Sequence, residues 1–143
     1  EDMPKANFYL LKQNTDAARA ALACKLAEQQ MRLGQRVYLQ AASVDAAHEL
    51  DQMLWSFTPE SFVPHALAGD AAAAAANVVV GVGAIPSATT CVLNLADGPV
   101  ASAGDSVGTI AEFILNDDEA KARSRIRWNH YKQLGYELQL HQL

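Results

Sequence analysis

Cysteine is scarce in this sequence, and no hydrophobic run is long enough to cross a membrane. The two cysteines, Cys24 and Cys91, do not form a Cys-x-x-Cys pair. We therefore expect two reduced, buried thiols rather than a disulfide framework. The most apolar stretch, residues 71–85, is mostly alanine and is interrupted by Asn77 and by glycines. A membrane span needs about 20 solidly apolar residues, so none is predicted.

Motifs for nucleotide binding, metal binding and covalent catalysis are also missing. There is no phosphate-binding Gly-x-x-x-x-Gly-Lys-Ser/Thr loop, and Gly81 and Gly83 lack the third glycine of a dinucleotide fingerprint, because Pro86 stands there. The histidines do not have zinc-ligand spacing. Ser106 stands in a Gly-x-Ser-x-Gly pattern at residues 104–108, but a nucleophile elbow leads from a strand into a helix, and here the next predicted element is a strand. The sequence therefore predicts no catalytic, cofactor-binding or metal-binding residues. These absences leave one catalytic or nucleotide-binding interpretation open, which is a small α/β enzyme or nucleotide-binding domain whose site is built from distant residues.

The beginning of the sequence contains no basic stretch followed by an apolar one. No export signal is therefore predicted, and we expect a cytoplasmic protein. Glu1 and Asp2 precede Met3, and we expect them to be a remnant ahead of the natural start. The 143 residues, half of them hydrophobic, fit one domain, which we place at residues 3–143.

Charge is sparse and unevenly distributed. Charged residues make up 19% of the chain, and the net charge is −5. Residues 1–118 carry 6 Lys/Arg against 14 Asp/Glu, whereas residues 119–143 carry 5 against 2. An acidic body repels nucleic acid, because nucleic-acid binding depends mainly on phosphate neutralisation. A basic strip on such a body favours a small acidic partner. Direct binding of single-stranded DNA is a further alternative.

Strand and helix patterns alternate along the chain. Strands are predicted at residues 6–11, 36–41, 78–82, 90–95 and 111–115, with a short closing strand at 136–140. Helices are predicted at about residues 17–33, 45–55 and 118–134, with capping residues before the first and third and a glycine after each of these two. Residues 61–65 are expected to be extended and residues 71–76 to form a loop. The alternation predicts a Rossmann-like α/β fold with a mostly parallel sheet and helices on both faces.

The last predicted helix carries a basic and aromatic stripe. Lys121, Arg125, Trp128 and Lys132 lie on one helical face, which leaves other positions for the core, namely Ala122, Ile126 and Tyr131. A cationic stripe around an indole can receive an acidic peptide, because the cations pair with carboxylates and the ring offers an apolar wall. A solvated basic helix face with a partly buried tryptophan is the simpler interpretation of the same spacing.

A second surface is predicted where the second helix ends. Trp55, Phe57 and Phe62 lie close together in the sequence, beside Pro59 and Pro64. Aromatic residues held by a rigid loop are good anchors for a protein interface. The same aromatics could instead fill the core under the loop.

Six segments of the chain together match the pattern of one known family: residues 7–11, 34–37, 50–55, 60–65, 67–69 and 125–136. On these segments the sequence resembles the chi subunit family of the bacterial DNA polymerase III holoenzyme. The resemblance runs over about residues 5–136 and is most specific at residues 50–69.

The resemblance implies a non-catalytic replisome accessory subunit whose Rossmann-like fold binds no nucleotide. Family members pair with the psi subunit of the clamp loader and hold the acidic C-terminal tail of single-stranded DNA-binding protein (SSB), so their contact with DNA is indirect. They also partner a helicase-like repair protein through the surface that takes psi.

The resemblance also assigns the two surfaces. Lys121, Arg125 and Trp128 match family positions that contact the SSB tail, and Lys132 is expected to add a cation from the same face. The family usually has tyrosine at Trp128, and it can carry a lysine where this chain has Asn129. The psi interface is expected at Trp55, Phe62, Val63 and Pro64.

Overall fold

The structure, a computed structural model, describes residues 3–56, 65–70, 73, 76–100 and 106–143. Its strands are β1 (Lys5–Leu10), β2 (Val37–Gln40), β3 (His65–Leu67), β4 (Val78–Gly81), β5 (Cys91–Asn94), β6 (Thr109–Ile114) and β7 (Glu137–Gln142). Its helices are α1 (Asp16–Arg32), α2 (Val44–Ser56) and α3 (Asp118–Gln133).

The strands form one seven-stranded sheet in the order β3-β4-β2-β5-β6-β1-β7. Every pairing in it is parallel. Parallel neighbours need crossover connections, and the helices supply three of them. The predicted α/β class with a parallel sheet is therefore confirmed, and the short closing strand is β7.

The helix boundaries follow local capping chemistry. The Thr15 hydroxyl accepts the Ala18 N–H at 3.2 Å, and the Asp117 carboxylate accepts the Ala120 N–H at 2.7 Å. Gly34 and Gly135 follow α1 and α3 with φ of +88°, the left-handed conformation that glycine adopts without a steric penalty. These predicted starts and stops are confirmed.

Helices cover both faces of the sheet. Buried residues of α1 and α2, such as Cys24 and Leu50, pack against one face, and those of α3, such as Tyr131, pack against the other. Along β1, Phe8 points toward α3 and Tyr9 toward the α1 side, as strand alternation requires. Both cysteines are free and buried, and burial raises the pKa of each thiol to about 12.

The predicted core face of α3 is partly wrong. Tyr131 is fully buried as expected, but Ile126 is 67% exposed and Ala122 is also exposed. Ser124 and Arg127 take the inward positions instead. The reason is a polar partner on the sheet, described below.

Two predicted features lie largely outside the described residues. The extended segment 61–65 is described only at His65, which begins β3, and the alanine-rich loop only at Ala73 and Ala76. Within the part of the chain that the structure covers, no helix is long and apolar enough to cross a membrane.

Candidate functional site

A buried carboxylate in β6 sets the orientation of α3. Glu112 is 1% exposed, and its Oε1 lies 2.8 Å from Nε of Arg127, which is itself 7% exposed. Its Oε2 accepts hydrogen bonds from Asn94 Nδ2 at 2.8 Å and from the Tyr131 hydroxyl. The same hydroxyl accepts the Val100 N–H at 2.8 Å. A buried charge is tolerated only when it is paired and hydrogen-bonded, so Arg127 and Tyr131 must face the sheet.

Burial also changes the titration of this cluster. Desolvation raises the pKa of Glu112 to about 7, although Arg127, Asn94 and Tyr131 each lower it. Desolvation and the Glu112 carboxylate raise the pKa of Tyr131. The hydroxyl therefore stays protonated and acts as a donor to Glu112.

With Arg127 held inward, the adjacent side of α3 forms a groove with the sheet. The groove has a volume of about 290 Å³ and a largely apolar lining. Its lining residues come from three strands and one helix: Phe8, Leu10, Ile114, Lys121, Ser124, Arg125, Trp128 and Leu140. Trp128 packs on the buried ring of Phe8, with ring centroids 5.1 Å apart. The sheet therefore supplies the floor, and α3 supplies an aromatic wall and a cationic rim.

The cations of this groove are available to a ligand. Arg123 pairs with Glu119 and Arg127 with Glu112, whereas Lys121, Arg125 and Lys132 make no ion pair with any residue that the structure describes. Arg125 is exposed and Lys121 is partly exposed. Two unpaired cations beside an apolar hollow suit a ligand that combines carboxylates with an apolar side chain.

Three of the four residues predicted for this surface come together. Lys121, Arg125 and Trp128 line the groove, while Lys132 lies further along the same helical face and does not. Sequence reasoning missed the floor, which consists of Phe8, Leu10, Ile114 and Leu140, and also Ser124. The alternation along β1 assigns Phe8 and Leu10 to one face, but only the strand order places that face under α3.

The second predicted surface is described only at Trp55. Its side chain is 56% exposed at the end of α2, and its ring meets the ring of His65 edge-on at 4.7 Å. His65 Nε2 lies 3.2 Å from Asp51 Oδ1. Phe62, Val63 and Pro64 lie outside the described residues. The structure therefore shows one exposed aromatic side chain at this surface, and its ring packs against His65 of the edge strand β3.

The two surfaces lie at opposite ends of the sheet and on opposite faces. Trp55 and His65 lie beside β3, the first strand in the sheet order, whereas the groove lies over β1 and β7 at the other edge. The helix that carries Trp55, α2, packs on the face opposite to α3. A ligand on one surface therefore leaves the other accessible.

If the chain bound a nucleotide, the ligand would be expected at the carboxyl ends of β2 and β5. Doubly wound sheets bind nucleotides at such ends. A cavity of about 480 Å³ lies there between α1 and α2, lined mainly by alanine, leucine and methionine together with Asp16, Arg19 and Glu49. Arg19 is already paired with Asp16 at 3.1 Å. The carboxylates of the cavity would therefore repel the phosphates of a nucleotide. In the described part of the chain, no group of His, Cys, Asp and Glu residues could hold a metal ion.

Known proteins resemble this chain over almost its whole length. Residues 3–139 match the family described as "DNA polymerase III chi subunit, HolC". The chain is 34% identical to the DNA polymerase III subunit chi of Pseudomonas aeruginosa, in an alignment that covers 99% of this chain and 98% of the relative. It is 31% identical to the protein of that name from Escherichia coli, with 95% and 96% covered. A third relative of that name, from Haemophilus influenzae, is 28% identical, with 93% of each chain covered. The chain therefore belongs to the DNA polymerase III chi subunit family, a family of DNA-replication accessory subunits.

Proposed function

We propose that this chain is a non-catalytic adaptor that binds the acidic C-terminal tail of SSB in the α3 groove and binds the psi subunit of the clamp loader through the Trp55 surface. The adaptor thereby links SSB on single-stranded DNA to the polymerase, and its own contact with DNA is indirect. The observation that carries the proposal is an apolar groove whose two rim cations lack an ion-pair partner among the described residues.

The groove suits the end of a peptide rather than a nucleic-acid strand. Its apolar floor accepts one large side chain against Trp128, and Arg125 and Lys121 lie where a terminal carboxylate and neighbouring acidic side chains would pair. Lys132, further along the same face, is placed for acidic residues upstream in the tail. The acidic body of the protein disfavours a long polyanion.

The electrostatics predict weak, salt-sensitive binding of a single tail. Exposed ion pairs contribute only about 0–1 kcal/mol each, so we expect a micromolar Kd that rises with ionic strength. Several tails on one oligomeric SSB raise retention through multivalency, without any new contact.

The Trp55 surface supports a separate protein contact. An exposed tryptophan held against His65 is a suitable interface anchor, because aromatic side chains bury much area at low entropic cost. Phe62, Val63 and Pro64 complete the proposed psi interface. A helicase-like repair protein would compete with psi for the same surface.

The test is binding of a labelled acidic peptide that ends in phenylalanine with a free carboxylate. Fluorescence anisotropy at low and moderate salt should give a micromolar, salt-weakened Kd for the wild type. Arg125→Ala should weaken binding about threefold to fivefold, because it removes a rim cation whose exposed ion pair contributes up to about 1 kcal/mol. Arg123→Ala is the matched control, since Arg123 is paired with Glu119 and does not line the groove.

Two further comparisons separate the proposal from its alternatives. Amidation of the peptide's terminal carboxylate should weaken binding, whereas a bare single-stranded oligonucleotide should not compete. Absence of peptide binding to the wild type at any salt would contradict the proposal. A rise in melting temperature with nucleotides would then favour the nucleotide-binding alternative.

A further inference from the structure

In the described part of the chain, the outer edge of β7 is unpaired on the side of the groove. β7 is the last strand in the sheet order, and no described residue forms a strand beyond it. The Glu137 N–H donates to the Pro4 carbonyl at 2.9 Å, and the Leu143 N–H donates to the Leu10 carbonyl at 3.1 Å. In this parallel register the odd-numbered residues of β7 bond to β1. The N–H and C=O groups of Leu138, Leu140 and Gln142 therefore point away from the sheet.

Leu140 belongs to both the groove and the open edge. Its side chain lines the groove opposite α3, and it pairs in register with Phe8 of β1. Its main-chain groups face outward in the plane of the sheet. A peptide that places a side chain over Leu140 therefore has its own main chain beside free hydrogen-bonding groups.

The cations on α3 define a direction along that edge. As a crossover helix between parallel strands, α3 runs antiparallel to β7, so Lys121 lies near the carboxyl end of β7 and Lys132 near its amino end. The seven residues from Arg125 to Lys132 span about 10 Å, which is the length of about three residues of an extended peptide. A tail with its carboxylate at Arg125 and an upstream acidic residue at Lys132 runs parallel to β7.

We infer that the bound tail adds an eighth strand to the sheet, parallel to β7 and hydrogen-bonded to the main chain of Leu138, Leu140 and Gln142. The inference rests on the proposed function and deepens it: the main chain of the tail is recognised together with its charges and its terminal side chain. Strand addition to an open sheet edge is a general mode of peptide recognition.

An acidic peptide fits this edge better than a second copy of the chain. Two copies paired through β7 about a two-fold axis would bring their α3 helices together on one face. Lys121, Arg125 and Lys132 of each copy would then repel those of the other. An acidic peptide instead neutralises the same three charges.

The direct test is a scan of N-methylated peptides, again with the acidic peptide that ends in phenylalanine. In an added strand, alternate peptide N–H groups face β7 and the others face away. Methylation of the inward groups should weaken binding tenfold or more, and methylation of the outward groups should change it less than twofold. Uniform effects along the peptide would overturn the inference.

A variant of the chain tests the same edge from the other side. Gln142→Pro removes an outward N–H that donates to no described residue, and proline is tolerated at sheet edges. It should weaken peptide binding about threefold to tenfold relative to the matched control Gln142→Ala, at an unchanged melting temperature. Equal affinities of the two variants would contradict strand addition.

Hydrogen exchange and the oligomeric state give independent outcomes. Saturating peptide should slow exchange of the Leu138, Leu140 and Gln142 amides, and unchanged exchange there would overturn the inference. A concentration-dependent dimer abolished by Gln142→Pro would assign the edge to a second copy. Binding that depends on Arg125 but lacks the alternation refutes only the added strand. If no peptide binds, both the inference and the proposed function fail.

Discussion

Trp128 packs on the ring of Phe8, with the ring planes inclined by 57°. Phe8 is fully buried in β1, so the sheet core holds one side of the indole while the other side is left to the groove. A helix side chain on the surface is thereby positioned by a strand more than a hundred residues earlier in the sequence. This contact places the indole as the wall of the groove, and the first prediction concerns it.

Trp128→Ala should weaken binding of the acidic peptide at least tenfold, because the variant loses the apolar wall. Trp128→Tyr should stay within about threefold of the wild type, since it keeps an aromatic ring against Phe8. Peptide anisotropy measures both. A peptide that ends in alanine supplies the control, because it should bind the wild type and Trp128→Ala with similar weakness. Full affinity in Trp128→Ala would mean that the terminal side chain sits elsewhere.

Trp55→Ala should weaken psi binding and leave tail-peptide binding unchanged, while Arg125→Ala should do the reverse. The reason is that the two surfaces lie at opposite edges and on opposite faces of the sheet. Titration calorimetry with psi and with the peptide measures both affinities for each variant. If Arg125→Ala also abolished psi binding, the assignment of two separate surfaces would be wrong.

Two buried tyrosines should respond oppositely to loss of the hydroxyl. Tyr131→Phe removes a donor to Glu112 and leaves the buried Val100 N–H without its acceptor, so we expect a loss of about 1–3 kcal/mol in the free energy of unfolding. The Tyr38 hydroxyl has no hydrogen-bond partner among the residues described, so Tyr38→Phe should cost nothing or stabilise slightly. Denaturant unfolding of both variants checks this. A large cost for Tyr38→Phe would show that its hydroxyl is bonded in solution.

Glu112 should make stability depend on pH near neutrality. Burial raises its pKa from the ordinary 4.5 to about 7, so the folded protein binds the proton more tightly than the unfolded chain does. The stabilisation from this group is complete below pH 4.5 and is lost as the pH rises through 7. The change is on the order of 1–3 kcal/mol.

The measurement for Glu112 is the difference in unfolding free energy between the wild type and Glu112→Gln across this range. As the pH rises, the unfolding free energy of the wild type should fall relative to that of Glu112→Gln, because the amide of the variant does not titrate. The raised pKa would be contradicted if the two unfolding free energies kept a constant difference across this range, or if the wild type gained stability relative to the variant as the pH rises.

The three helices and six of the seven strands were predictable because their signals are local, whereas β3 (His65–Leu67) was not predicted as a strand. Thr15 and Asp117 cap helices through side chains that reach only three residues along the chain, and Gly34 and Gly135 end helices through their own φ. The inward face of α3 was predicted less well. Ile126 is apolar yet exposed, and Arg127 is charged yet buried, because the deciding partner is Glu112 on a neighbouring strand. A carboxylate in an otherwise apolar strand was the available signal for this exception.

By itself the sequence determined the α/β class, the helix boundaries and the basic stripe of Lys121, Arg125 and Trp128, because caps, periodicity and helical spacing act over a few residues. Only the tertiary structure decided what the stripe faces. The groove floor of Phe8, Ile114 and Leu140 exists because β6, β1 and β7 are neighbours, and no local preference encodes that order. The same non-local pairing places β7 at one edge of the described sheet, beside the groove, and Trp55 beside β3 at the other edge. Strand order is set by how the whole chain buries its apolar surface, which is a property of the complete fold.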